Sequence, residues 1–268
     1  MALDGKTLRR SFDRAAAQAP LHLVRAGAAE QRLVLGQVAV DGKSHAITAG
    51  PQRPVLLSLQ GTIVTADAMH CQRAVAEQVW AQGGNDVLAL KGNQGTLRED
   101  VGQLLDAAPS LPTTTHTTLE KEHGRIETRP SVVSNEIAWW QEQHHWPGLA
   151  AVGKITRTRD IPQQTSTETA YYLLSTSLPA ERFGPVARQH GGIENSWHWV
   201  LDVTLNEDQA RGRKEHSPEN LALLRRGALN VVRLEPAEGS RKGKRKRAGC
   251  NHEYRTQLLA QFASPHMR

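Results

Sequence analysis

Along the first ninety residues the apolar positions switch between strand-like runs and helical spacing. "LHLVRAGA" (21–28) and "QRLVLGQVAV" (31–40) are apolar runs separated by a short polar break, which predicts a hairpin of adjacent strands. "PVLLSL" (54–59) reads as the end of a helix before "GTIVTADA", where Ile63, Val64, Thr65 and Ala66 suit a strand interior. Ala68, Met69 and Cys71 suit a buried helix start. "CQRAVAEQVWAQGG" (71–84) then places Val75, Val79 and Trp80 at helical spacing and stops at a Gly-Gly pair. "NDVLALKG" (85–92) is a further short buried strand. The order predicts a mixed α/β sheet with a leading hairpin.

The pattern changes between residues 93 and 180. "TTTHTTLEKEHGRIETRPSVV", "AAVGKITRTRD" and "TAYYLLST" are Thr-rich or β-branched and read as strands of an inserted β region. Residues 182–232 return to helix, with "PENLALLRRGALNVVRL" strongly amphipathic. A basic run and a short final helix, "EYRTQLLAQFA", follow. There is no internal repeat and no long low-complexity linker.

A chain of 268 residues can bury a substantial core in one large domain or two small ones. No apolar run approaches the roughly 20 residues of a membrane helix, and "MALDGKTLRRS" lacks the apolar centre of a signal peptide. With Cys71 and Cys250 the only cysteines, a disulfide framework or zinc ribbon is disfavoured and a reducing cytoplasm fits best. The net charge is +6 and the isoelectric point about 9.6. "SRKGKRKRAG" (240–249) alone carries six Lys or Arg and no acid. Such a balance favours a polyanion partner without naming one.

Three acids stand out by position. Asp4 precedes "GKT", Asp67 ends the "TIVTA" strand, and Glu194 lies in "RQHGGIENSWHWVLD" at an expected helix start. Carboxylates from two strand ends and one helix can converge on Mg²⁺, which takes oxygen ligands and keeps several waters. Two such ions support phosphodiester chemistry. Asp67 poses the question most sharply, because a buried carboxylate is costly unless something compensates its charge. It could equally cap the helix that follows. Spacing does not choose between these.

The ordered blocks "LDGKTLRRS", "VLGQVAVDGKSHAIT", "TIVTADAMHCQ", "GGNDVLALKGNQGTL", "EKEHGRIETR", "RQHGGIENSWHWVLDVTLNEDQARGR" and "SPENLALLRRGALNVVR" closely resemble bacterial insertion-sequence transposases of the DDE superfamily. Within it they resemble the ISAs-type subgroup that includes the H-repeat-associated proteins. The resemblance runs from Leu3 to the basic C-terminal segment. It implies an α/β fold, an RNase H-like mixed-sheet catalytic core with a β-rich insertion before the helix carrying the third acidic residue. The core's first part is expected over 1–92, the insertion over 93–180, the helical completion over 181–235, and a basic segment with a short helix over 236–268. Carried over by block, Asp4, Asp67 and Glu194 become catalytic ligands of Mg²⁺, with Mn²⁺ as a substitute. The implied reaction is hydrolytic nicking at a transposon end, then attack of the freed 3′-hydroxyl on target DNA. The implied partner is double-stranded DNA, end and target, bound by a homo-oligomer in the cytoplasm at the nucleoid and away from membranes.

The same blocks supply DNA-contact candidates. Lys6 stands in "DGK", while Lys91, Asn93 and Gln94 leave a strand end, where plain turn chemistry is the alternative. Arg125 and Arg129 could bind backbone, with Glu127 pairing one of them. Arg188 and His190 precede Glu194; either could neutralise a phosphate, and His190 could be an ordinary surface residue. Glu194, His198 and Asp202 follow one helical side and could suggest zinc, against the plainer reading of Trp197 and Trp199 as packing. Glu207 and Asp208 read as structural. The "RKGKRKR" run reads as nonspecific phosphate contact.

Three departures from the family pattern carry expectations. Only Met1, Ala2 and Leu3 precede Asp4, so its strand is expected to be nearly absent. The alternative to a catalytic domain is therefore a DNA-binding remnant that lacks catalysis because its N-terminal region is missing. Gly191 and Gly192 stand where the family has a bulkier residue after the His, and could mark a helix start. Leu201 occupies a place where related elements carry a basic residue.

Overall fold

The computed structural model describes residues 1–40, 58–107, 111–122, 124–193 and 197–263. They divide into two units, Met1–Asp4 with Ile47–Gly191 and Gly5–Ala46 with Gly192–Arg268.

In the first unit the apolar run before Asp67 forms β4 (Ile63–Ala66), parallel to β5 (Asn85–Leu90) on one side and to β1 (Ala2–Thr7) on the other. β1 corrects the expectation of an absent strand. Asp4 is its third residue, because "DGKT" continues the extended backbone beyond Leu3. Ala2 and Leu3 register with Thr65 and Ala66. The Met1 carbonyl accepts from Thr65 N at 2.8 Å, and its amino group donates to the Ile63 carbonyl at 2.6 Å. Ala2 is fully buried and Leu3 packs against the core.

Beyond β5 the sheet turns antiparallel, through β9 (Gln164–Leu174), β8 (Ala151–Ile161) and β7 (Arg125–Ser134) to the edge strand β6 (Thr114–Glu122). These are the β-branched, Thr-rich segments of the sequence. Two helices in this stretch were not anticipated. α2 (Gly95–Ala107) buries Leu97, Val101 and Leu104, a stripe at helical spacing, and α3 (Ala138–His144) buries Trp140. They cover one face with α1 (Arg73–Ala81). On the other, α4 (Ala180–Ile193) lays Phe183 over Gly153, where an added Cβ would lie 2.6 Å from the ring. Gly191 and Gly192 close α4 and do not start a helix.

Two apolar readings need correction. Val75, Ala76 and Val79 form the buried side of α1, but Trp80 is 64% exposed. Met69 is 44% exposed, while Ala68 and Cys71 are buried. Trp80 sits one helical position outside the stripe covered on α1, and Met69 is the outward residue of a short 3-10 turn whose Ala68 and His70 are buried. The helix end expected over 54–59 lies outside the described residues except for Ser58 and Leu59, which are not helical.

The second unit contains the expected hairpin, β2 (His22–Ala28) antiparallel to β3 (Leu33–Val40), with a bulge at Ala26–Gly27. Gly27 is required there, since an added Cβ would meet the Trp197 ring at 1.7 Å. α5 (Trp199–Leu205) and α6 (Ser217–Leu234) pack through Val200, Leu201 and Leu229. The Asn230 amide ties α6 to β3, donating to the Val34 carbonyl at 2.7 Å and accepting from Val34 N at 3.0 Å. α7 (Arg241–Cys250) and α8 (His252–Ala263) complete the unit. Among the described residues no helix is long and apolar enough to cross a membrane.

Candidate active site and family

Parallel pairing of β1 with β4 brings two of the three singled-out acids together. Leu3 registers with Ala66, so Asp4 and Asp67 follow as neighbours on strands about 4.8 Å apart. Asp67 leaves β4 still extended and caps a single 3-10 turn, Ala68–His70; its carboxylate accepts from His70 N at 3.3 Å. The capping alternative is therefore met. The carboxylate is also 31% exposed, which reduces the burial penalty and leaves it within reach of solvent. His70 Nε2 lies 3.9 Å from the same oxygen.

His190, near the end of α4, lies within electrostatic reach of both carboxylates. Its Nδ1 is 3.2 Å from the Thr65 hydroxyl. Burial lowers its pKa, while the Asp4 and Asp67 charges pull it back up. It is thus half-buried beside the acids, not an ordinary surface histidine. The next residue of interest, Glu194, lies outside the described residues. Among the described residues no three His, Cys, Asp or Glu side chains are grouped to hold a metal ion.

The loop after β5 supports Asp67 from below. Asn93 Nδ2 donates to the Ala68 carbonyl at 2.5 Å and Gln94 Nε2 to the Cys71 carbonyl at 2.9 Å. Both amides are spent on the turn that follows Asp67, while Lys91 is exposed. Burial, then the Asp86 and Asp67 charges, pushes the Cys71 thiol up to about 12, so it is no nucleophile.

The other basic candidates fare differently. Lys6 is 14% exposed and paired to Asp202 at 2.6 Å and Asp208 at 3.4 Å, which removes it from phosphate reach within its unit. Arg129 pairs with Glu127 and Glu120, and Arg188 grips Glu120 with both terminal nitrogens. Glu127 is buried, with Arg125, Arg157 and Arg159 at 3.7–3.9 Å. Arg157 and Arg159 went unnoticed in the sequence, although both fall on alternate positions of "KITRTRD" and so share one face. Trp197 is buried and donates to the Arg32 carbonyl at 3.1 Å, but Trp199 is 59% exposed and does not pack. Glu207 is the structural carboxylate expected, fully buried between Arg25 at 2.8 Å and Arg226 at 3.3 Å.

A mixed α/β fold with one carboxylate within β1 and another just past the end of the parallel strand β4 agrees with what comparison with known proteins finds. The sequence model of the transposase DDE domain matches residues 1–231. The chain belongs to the DDE transposase family. It is 35% identical over 267 residues to "Putative transposase YncI" of Escherichia coli O157:H7, covering 97% of this chain and 68% of that one. It is 32% identical over 270 residues to "H repeat-associated putative transposase YhhI" of Escherichia coli (strain K12), covering 97% and 71%.

Proposed function

We propose that this chain is the catalytic part of an insertion-sequence transposase of the H-repeat-associated, ISAs-type subgroup. It hydrolyses the phosphodiester at an element end and joins the freed 3′-hydroxyl to target DNA, acting on the nucleoid in the cytoplasm. The observation that carries the reading is the β1–β4 register that sets Asp4 beside Asp67, with the His190 ring held 3.2 Å from the Thr65 hydroxyl on the same strand as Asp67. In this reading β1, β4 and β5 belong to an RNase H-like core spanning 1–92 and 181–235. Residues 93–180 are its β-rich insertion, and 236–268 form a basic appendage.

The donors suit a hard divalent cation. Asp4, Asp67 and Glu194 would hold Mg²⁺, or Mn²⁺ in its place, and carboxylate oxygens are its preferred protein ligands. When bound, such ions would supply activation of the attacking oxygen and stabilisation of the leaving oxygen. The chain's own residues do the positioning. The His70 amide holds the Asp67 carboxylate at the strand end, and Asn93 and Gln94 hold the turn that carries that amide. Thr65 orients the His190 ring toward the acids. Lys91, which is exposed, and Arg125, half-buried beside Glu127, remain the phosphate contacts of choice.

Incubation with Mg²⁺ or Mn²⁺ and a duplex carrying the element's end should give nicking that Asp67→Asn abolishes. Nicking that survives the substitution means the site is wrongly assigned. Duplex binding without cleavage, beside an active full-length relative, would leave a DNA-binding remnant instead.

A further inference from the structure

The run 241–250 is a folded helix, although its composition opposes one. α7 carries Arg241, Lys242, Lys244, Arg245, Lys246 and Arg247 and no acid, so Arg241/Arg245 and Lys242/Lys246 repel across one turn. The helix holds through its ends and one side. Ser240 caps it, accepting from Gly243 N at 3.0 Å, and Arg255 donates to the Ala248 carbonyl at 3.2 Å. Lys244 pairs with Glu235 at 2.7 Å, Arg247 stacks on the Tyr254 ring at 4.1 Å, and Ala248 packs against Val231, Tyr254 and Leu258.

These contacts fix the helix rotation. Lys244, Arg247 and Ala248 face the unit, while Lys242, Arg245 and Lys246 are exposed and make no ion pair among the described residues. At the helix start Arg241 adds to a corner formed by Arg32 and Arg233. Burial and the charges of Arg241 and Arg32 push the Arg233 guanidinium down to about 10, a sign of concentrated positive potential.

We infer that the outer face of α7, with the Arg32–Arg233–Arg241 corner, is a docking surface for the phosphate backbone of duplex DNA. Charge complementarity selects this occupant. A duplex offers one negative charge about every 1.7 Å of its axis, and a ten-residue helix presents its cations over about 15 Å. Phosphate contacts relieve the repulsion inside α7, and they give affinity without sequence preference. The choice of DNA among polyanions rests on the transposase reading; the surface itself does not.

The test is binding of the full chain to a short fluorescent duplex of arbitrary sequence across a salt series. Each lost phosphate contact lowers the slope of log K against log salt by about 0.9, so Lys242→Gln/Arg245→Gln/Lys246→Gln should lower it by about 2 to 3. Lys242→Arg/Lys246→Arg should keep the wild-type slope. Unchanged circular dichroism shows that the triple variant is folded, as its exposed side chains allow. A slope equal in wild type and triple variant overturns the inference, whether or not the same residues bind anionic phospholipid vesicles or an acidic peptide. Asp67→Asn separates the two readings. It should lose nicking and keep the slope, so either result can fail without the other.

Discussion

The Thr65 hydroxyl lies 3.2 Å from Nδ1 of His190, on the strand that ends in Asp67. Alternate strand residues share a face, so Thr65 and Asp67 look toward the same ring. If this contact orients His190 toward the carboxylates, His190→Ala should reduce nicking by about 100-fold or more, within the range for positioned groups. His190→Asn, which can still bond Thr65, should retain more activity. Equal activity of both variants and wild type would remove His190 from the site.

Glu120 decides whether Arg129 and Arg188 reach DNA. Hydrogen bonds from Arg188 and Arg129 hold its carboxyl down to about 2, so it stays ionised throughout the range in which binding is measured. Glu120→Gln should weaken both pairs, strengthen nonspecific duplex binding and steepen its salt slope by about 1 to 2. An unchanged slope would mean that these arginines serve the sheet alone.

Asp86 predicts a pH dependence of stability. Burial raises its pKa from about 3.8 to about 7, with the Ser175 hydrogen bond acting in the opposite direction. The folded value lies above the unfolded one, so the native state keeps the proton longer. This contribution is fully present below about pH 4 and is lost as the pH rises through 7, at most roughly 4 kcal/mol. In thermal melts, Asp86→Asn should flatten the decline between those limits and raise the midpoint at pH 8. A mutant curve parallel to wild type would count against it.

Glu207 sits between Arg25 and Arg226, all three almost wholly buried. Glu207→Gln leaves two guanidiniums facing each other without a counter-charge. The expected loss is about 3–5 kcal/mol of unfolding free energy, read by denaturant titration. A loss below about 1 kcal/mol would show that water or another group compensates them.

Gly153 lets the Phe183 ring rest on β8. Gly153→Ala forces the ring or α4 to shift and should cost about 1–3 kcal/mol. Gly36, with nothing within 4 Å of an added Cβ, is the control position.

The sequence by itself determined the local elements and the family. The hairpin, the β4 strand, the α1 helix and the Thr-rich strands follow from side-chain period, which is set by neighbours two to four residues away. The blocks around Asp4, Asp67 and Glu194 identified the transposase class without any knowledge of contacts. α2 escaped notice although Leu97, Val101 and Leu104 carry a helical stripe, because the Thr-rich strands after it dominated the reading of that stretch.

Tertiary structure decided which charges are available. Lys6 meets Asp202 across 196 residues and Arg188 meets Glu120 across 68, so no local pattern could reveal that these cations are neutralised. Exposure is likewise a property of what covers a residue. Trp80 and Trp199 read as packing positions and face solvent, because burial depends on a partner surface that the residue's own helix does not supply. For Asp67 the same rule resolves both alternatives at once. Its own turn makes it a cap, and only the neighbouring strand brings Asp4 beside it, the pairing on which the proposed metal site rests.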